Sequence, residues 1–202
     1  PIDMTAATPV GSLSILSVSF CVPVKRIDKI IDSISLFAEK FPTSSITWVH
    51  IGDGPLRAQL MGHAKTKFER LLNVRFEFLG NLDNADVKGF YSDNPVDLFI
   101  NLSESEGVPV SIMEAMAAGV PAIAPDVGGI AELVTPDCGC LVPASVAPEQ
   151  AVRALEEMVY RAKRPAVRRA ARERVRELFC AETNYRAFVD KVWATGKSDA
   201  LA

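Results

Sequence analysis

Residues 101–125, NLSESEGVPVSIMEAMAAGVPAIAP, constrain this chain more than any other stretch. Asp97-Leu98-Phe99-Ile100 before it reads as a short buried strand, and residues 103–107 read as a polar turn. Pro109 suits the first position of a helix, where its missing N–H costs nothing. Met113, Met116, Ala117 and Val120 then recur at i, i+3, i+4 and i+7, the spacing of a buried helix face. Gly119 falls where such a helix stops, and Pro121 opens the next apolar run. The stretch is strand, loop, helix, strand.

Within residues 107–125 the single ionisable side chain is Glu114. It shares a stripe with Ser111 and Ala118, beside the apolar face and among small residues. A carboxylate placed there is partly desolvated and needs hydrogen-bond donors. Backbone amides or a nearby lysine would make it structural. Ligand hydroxyls would make it a binding residue, and small neighbours leave room for them. Glu106, in the loop before the helix, pairs with Glu114 eight positions later, whereas the eighth residue after Glu104 is Ile112.

The run Glu106-Gly107-Val108-Pro109-Val110-Ser111-Ile112-Met113-Glu114, continued by Ala115-Met116-Ala117-Ala118-Gly119-Val120-Pro121, resembles the E-x7-E segment of retaining, nucleotide-sugar-dependent glycosyltransferases. These are GT-B enzymes of family 4, also called glycosyltransferase group 1. The resemblance extends over residues 13–189. It corresponds to the C-terminal, donor-binding half of such enzymes, whose acceptor site lies in a separate N-terminal domain.

The rest of the chain fits one α/β domain. With 202 residues it is long enough for a full core, and 49% hydrophobic residues with few aromatics suit a soluble fold. A formal net charge of −3 implies no nucleic-acid-binding surface. No apolar run approaches the ~18 residues of a membrane span, and the start carries no secretory pattern. Cys21, Cys138, Cys140 and Cys180 match no usual zinc spacing and read as reduced thiols of a cytosolic protein. His50 ends an apolar strand and His63 falls in a mixed helix; neither has acidic or cysteine partners at ligand spacing, and both read as structural or exposed.

Residues 1–12, PIDMTAATPVGS, have no period and read as a linker or tail. Residues 13–195 form the domain, and 196–202 a frayed tail. Strands are predicted at 12–20, 46–51, 74–79, 96–100, 122–124 and 140–142, with helical patterns between them. Helices at 148–163, 165–179 and 182–194 follow. Strands alternating with helices argue for a doubly wound, Rossmann-like parallel sheet of about six strands in the order 3-2-1-4-5-6. Ligands of such a sheet bind at the carboxyl ends of the strands, by the switch between strands one and four. That sets residues 19–26 opposite residues 103–111.

By the resemblance, this crevice holds a nucleotide-diphosphate sugar. Lys25 corresponds to the family's diphosphate-neutralising lysine. The arginine expected six residues earlier is Ser19, and Arg26 is a candidate substitute. Lys25 and Arg26 also read as mere decoration of a helix start, although cations there oppose the macrodipole and call for another reason. Gly107 is kept from the family pattern, while Val108 and Pro109 replace its aromatic and second glycine. Pro109 lacks an N–H, so the Val110 amide or the Ser111 hydroxyl would substitute. Glu114 would accept hydrogen bonds from ribose hydroxyls. Glu106, the catalytic candidate, would contact the transferred sugar and stabilise a developing oxocarbenium. Gly80-Asn81 lies where the family's base-contacting turn falls.

The family needs no metal cofactor, and no Asp-x-Asp is present. Gly52-Asp53-Gly54-Pro55 resembles the family's G-x-G-P and also reads as a plain structural turn. Gly128-Gly129 and Glu132 fit the post-strand loop. The basic segment at residues 161–176 reads as a solvated helix face, or as a peripheral contact with the cytoplasmic membrane face. Two other readings remain at this stage: a non-catalytic doubly wound interaction module, and a GT-B-like nucleotide-sugar epimerase.

Overall fold

The structure, a computed structural model, describes residues 2–179 together with Tyr185 and Val189. Six strands form one sheet: β1 (Ser12–Val18), β2 (Ser45–Ile51), β3 (Val74–Gly80), β4 (Leu98–Ile100), β5 (Ala122–Pro125) and β6 (Gly139–Val142). Their order is β3-β2-β1-β4-β5-β6, and every neighbouring pair is parallel. The predicted sheet and strand order are therefore present.

Helices cover both faces, which is why β4 and β5 are apolar and buried throughout instead of alternating. On one face α1 (Ile27–Lys40) packs between α2 (Arg57–Phe68) and α6 (Pro148–Arg161). Ile27, Ile30, Ile31, Ile34, Phe37 and Ala38 form the buried stripe of α1 and meet Leu13, Ile15 and Trp48 of the sheet. On the other face lie α3 (Asn84–Asp93), α4 (Val110–Ala117), α5 (Ile130–Leu133) and α7 (Pro165–Phe179). There Ile112, Ala115 and Met116 of α4 meet Leu16, Phe99 and Ala122 of the sheet and Ala171 of α7. Each fully buried Leu, Ile or Phe contributes about 1.5–3 kcal/mol to this arrangement. Apart from Tyr185 and Val189, the predicted helix at 182–194 lies outside the described residues, as do Cys180 and the tail after residue 196. Cys21, Cys138 and Cys140 are free thiols.

Two expectations change. Pro109 is the N-cap of α4, with φ −73° and ψ 120°, so the helix begins one residue later than predicted. The segment read as a linker is docked on the domain. The Thr5 hydroxyl donates to the Asn94 carbonyl at 2.6 Å and accepts from the Val96 amide at 3.2 Å. Thr5 N–H donates to the Ala118 carbonyl at 3.1 Å, and Arg168 donates to the Thr5 carbonyl at 2.7 Å. Asp97, fully buried, accepts from the amides of Thr8 and Ser14 at 2.8 and 2.9 Å and from Lys163 Nζ at 3.0 Å. The segment lacks a hydrophobic period because polar partners hold it, and those partners are distant in sequence.

The basic segment is likewise used internally. Arg168 is buried and also donates to the Val96 carbonyl at 3.1 Å. Arg174 donates twice to the Glu132 carbonyl, at 3.1 and 2.6 Å. Arg161 bonds Glu157 and the Pro136 carbonyl. Arg164, Arg169 and Arg176 are exposed.

Candidate active site

The loops leaving β1 and β4 meet at the carboxyl edge of the sheet, as their places at the switch in strand order require. The Glu104 amide donates to the Val24 carbonyl at 2.8 Å. Lys25 Nζ donates to Glu106 Oε1 at 2.7 Å, with 23% and 10% of the two side chains exposed. Asn101 Nδ2 donates to the same oxygen at 3.1 Å, while Asn101 Oδ1 accepts from the Ser103 amide at 2.8 Å. The residue just past β4 thus fixes the loop that carries Glu106. Burial pushes the Glu106 pKa up, but hydrogen bonds from Lys25 and Asn101, the nearby Ser103 hydroxyl and the Lys25 charge outweigh it and hold the carboxyl below its usual range. The Ser103 hydroxyl closes no hydrogen bond of its own among the described residues. Glu106 is therefore a charged, oriented acceptor at neutral pH.

Lys25 and Arg26 diverge. A 3-10 turn over Pro23–Lys25 ends at Arg26, which takes the left-handed φ of 49° and serves as N-cap of α1. This reversal sends Arg26 to Glu104 and towards Asp28, at 3.7 Å, while Lys25 reaches Glu106. Arg26 and Glu104 border a separate open recess of about 390 Å³, lined also by Pro23, Asp28, Leu56, Gln59 and Leu60. Ser19 donates its amide to the Ile51 carbonyl at 3.0 Å, and this backbone bond continues the β1–β2 ladder.

Glycines set the spacing of these loops. A Cβ on Gly52 would stand 1.9 Å from the Ser19 carbonyl oxygen, and one on Gly54 2.8 Å from that of Cys21. Gly52-Asp53-Gly54-Pro55 is thus the turn against which the β1 loop is folded. Gly128 does the same for the other loop: its φ is +54°, and a Cβ there would lie 1.9 Å from the Glu106 carbonyl oxygen. The Gly129 amide donates to the Gly107 carbonyl at 2.9 Å.

Val108 and Val110 flank the start of α4, Val110 being 61% exposed. Val110 and Ser111 occupy its first turn, where helix amides lack intrahelical acceptors. Glu114, one turn on, is half-buried. Among the described residues its hydrogen bond comes from Asn84 Nδ2, at 2.5 Å. Main-chain amides do not saturate it. Asn84 opens α3, just after the turn at Gly80-Asn81, whose Gly80 carbonyl accepts from the Gly52 amide at 2.7 Å. The carboxyl ends of β1, β2, β3 and β4 are therefore linked in one rim.

Asn84 and Asn101 were not singled out in the sequence, because an amide four residues past a strand or at a strand end carries no spacing signal. The histidines are held internally. His50 is buried between Ser17 Oγ, at 2.9 Å, and Cys21 Sγ, at 3.5 Å. Burial lowers its pKa to about 4. His63 lies 2.9 Å from Asp32 of α1, a partner that sequence spacing did not reveal. Among the described residues no three His, Cys, Asp or Glu side chains converge as a metal-binding group, and no helix is long and apolar enough to cross a membrane.

Comparison with known proteins agrees with this architecture. The family model "Glycosyl transferases group 1" matches residues 6–178. Over 86 residues the chain is 37% identical to the O-antigen biosynthesis glycosyltransferase WbnH of Escherichia coli, covering 43% of this chain and 22% of that protein. Over 88 residues it is 36% identical to a GDP-mannose-dependent alpha-mannosyltransferase of Mycolicibacterium smegmatis, covering 44% and 20%. The crystal structure of Anabaena HepE in complex with UDP superposes with a TM-score of 0.74 at 21% identity, over 91% of this chain and 49% of that one. The aligned region is thus about a fifth of either curated relative and half of HepE, a likeness of fold. The structural neighbours are GT-B glycosyltransferases. The match over residues 6–178, on a sheet of this order with its loops meeting at the strand ends, places the chain in the glycosyl transferases group 1 family.

Proposed function

We propose that this chain is the nucleotide-sugar-binding half of a retaining glycosyltransferase that moves a hexose from a nucleotide-diphosphate donor to a glycan or lipid-linked acceptor. One observation carries the reading: the β1 and β4 loops bring Lys25 within 2.7 Å of Glu106 at the rim where Glu114 is half-buried. Lys25 faces the diphosphate, with the amides of Val110 and Ser111 at the start of α4 and the Ser111 hydroxyl as further donors. Glu114 accepts from the ribose hydroxyls, and Gly80-Asn81 borders the base. Glu106 accepts from hydroxyls of the transferred sugar. A fixed carboxylate this close to the anomeric carbon stabilises positive charge as the bond to the diphosphate breaks. The acceptor hydroxyl then attacks from the same face, and its proton passes to the departing phosphate oxygen, so the anomeric configuration is retained. Arg26, held by Glu104, is the weaker candidate for the diphosphate.

Turnover needs an acceptor-binding domain, because half a cleft does not hold both reactants in attack geometry. In the full-length protein this chemistry belongs to polysaccharide or lipid-linked glycan synthesis in the cytoplasm, at the inner face of the membrane, without a metal cofactor.

Calorimetric titration with UDP, GDP and ADP tests the reading. One of the three binds, and Glu114→Ala weakens it at least about tenfold, the loss of a charge-assisted hydrogen-bonded contact. The Lys25–Glu106 pair also suits a structural module. Absence of binding by all three at millimolar concentration would favour that reading.

A further inference from the structure

Among the described residues the buried side-chain polar atoms without a partner are Arg57 Nε, Tyr91 Oη and Ser103 Oγ. An unpaired hydroxyl in a core costs stability and calls for an explanation. Tyr91 is the extreme case, with 0% of the residue exposed. It lies on α3, seven residues after Asn84, so the two share one face of the helix. Asn84 donates to Glu114 Oε1 at 2.5 Å. The Tyr91 phenol is near enough to Glu114 for the carboxylate, after burial, to push its pKa up and keep its proton on. One face of α3 thus carries an amide that bonds the Glu114 carboxylate and, two turns on, a fully buried hydroxyl with no partner among the described residues.

We propose that Asn84 and Tyr91 are positioning residues for Glu114, holding its carboxylate in the orientation that reads the ribose diol of the donor nucleotide. This rests on the ribose role given to Glu114 above. Asn84 fixes Oε1. The Tyr91 hydroxyl, left without a partner in the core, is the donor for the second carboxylate oxygen when the diol is bound. A phenylalanine would fill the same space, so packing alone does not account for the oxygen.

The test compares UDP, GDP and ADP with their 2′-deoxy forms, titrated against the whole chain and its Asn84→Ala, Tyr91→Phe and Glu114→Ala variants. The parent chain prefers the ribonucleotide of its preferred base. Tyr91→Phe and Asn84→Ala each weaken the ribonucleotide about tenfold, one hydrogen bond's worth, and leave the 2′-deoxy form within about twofold. Tyr91→Phe melts at or above the parent temperature, since it removes an unpaired buried oxygen. An unchanged ribose preference in both variants, with Glu114→Ala abolishing it, overturns the positioning role and leaves the ribose role of Glu114 standing. If the parent chain binds none of the nucleotides, or binds ribo and deoxy forms equally, both fall. A large drop in the melting temperature of Tyr91→Phe with unchanged affinity assigns the hydroxyl to stability and overturns the proposal.

Discussion

Burial decides what His50 does. Its ring is fully buried and bridges Ser17 to Cys21, and the Ser17 hydroxyl also accepts from Trp48 Nε1 at 3.0 Å. Desolvation brings its pKa down to about 4 from 6.5. The native ring is then neutral at pH 5, while the unfolded chain binds a proton as pH falls through 6.5. Unfolding takes up protons between those values, so stability falls as pH drops from 6.5 towards 4 and stops changing, for this group, below it. The whole effect is about 3 kcal/mol. Urea unfolding at intervals between pH 7 and 4 should show the decline, and His50→Gln, which cannot titrate, should flatten it.

At the scale of elements, the site depends on turns wedged against each other more than on the helices themselves. The loop before α5 carries Gly128, whose missing Cβ leaves room for the Glu106 carbonyl. Gly128→Ala places a methyl 1.9 Å from that oxygen and forces a left-handed φ of +54° on alanine. Stability should fall by at least about 2 kcal/mol. Nucleotide affinity should fall with it, because the Glu106 loop must shift. Gly62 supplies the contrast. It lies inside α2, exposed, and a Cβ there would meet nothing within 4 Å. Gly62→Ala should raise stability by about 0.5–1 kcal/mol, as an alanine in a helix interior does. Denaturant midpoints of the two variants should therefore move in opposite directions.

Over the whole molecule, the first described residues are fastened to the start of β4 and to the α6–α7 connection across the amino edge of the sheet. Asp97 is the fastening: fully buried, it is shared by Thr8, Ser14 and Lys163, whose own side chain is 14% exposed. Asp97→Ala leaves a nearly buried ammonium without its counter-charge and two amides without an acceptor. The expected cost is about 3–5 kcal/mol, read from the urea midpoint. Deleting residues 1–9 also removes the acceptor of Arg168 Nη2 and the partners of the Asn94 carbonyl and the Val96 amide. That deletion should lower the melting temperature at least as far, without touching the rim where nucleotide is expected.

The sheet, its strand order and the crevice were readable from residue order, because all three follow from short-range signals: apolar runs of strand length, helical periods and handed crossovers. The turns at 52–55 and 128–129 were legible from their paired glycines, and the loop and helix that carry Glu106 and Glu114 from the strand, polar turn and helical period around them. Folding in three dimensions settled the rest. The divergence of Lys25 from Arg26 follows from one left-handed residue, and φ is not written in residue type for arginine. The docking of residues 2–11, the bond from Asn84 to Glu114 and the pairing of His63 with Asp32 join residues through hydrogen bonds between distant segments. Such bonds leave no period behind, since a polar side chain has the same sequence signature whether its partner is water or another part of the chain.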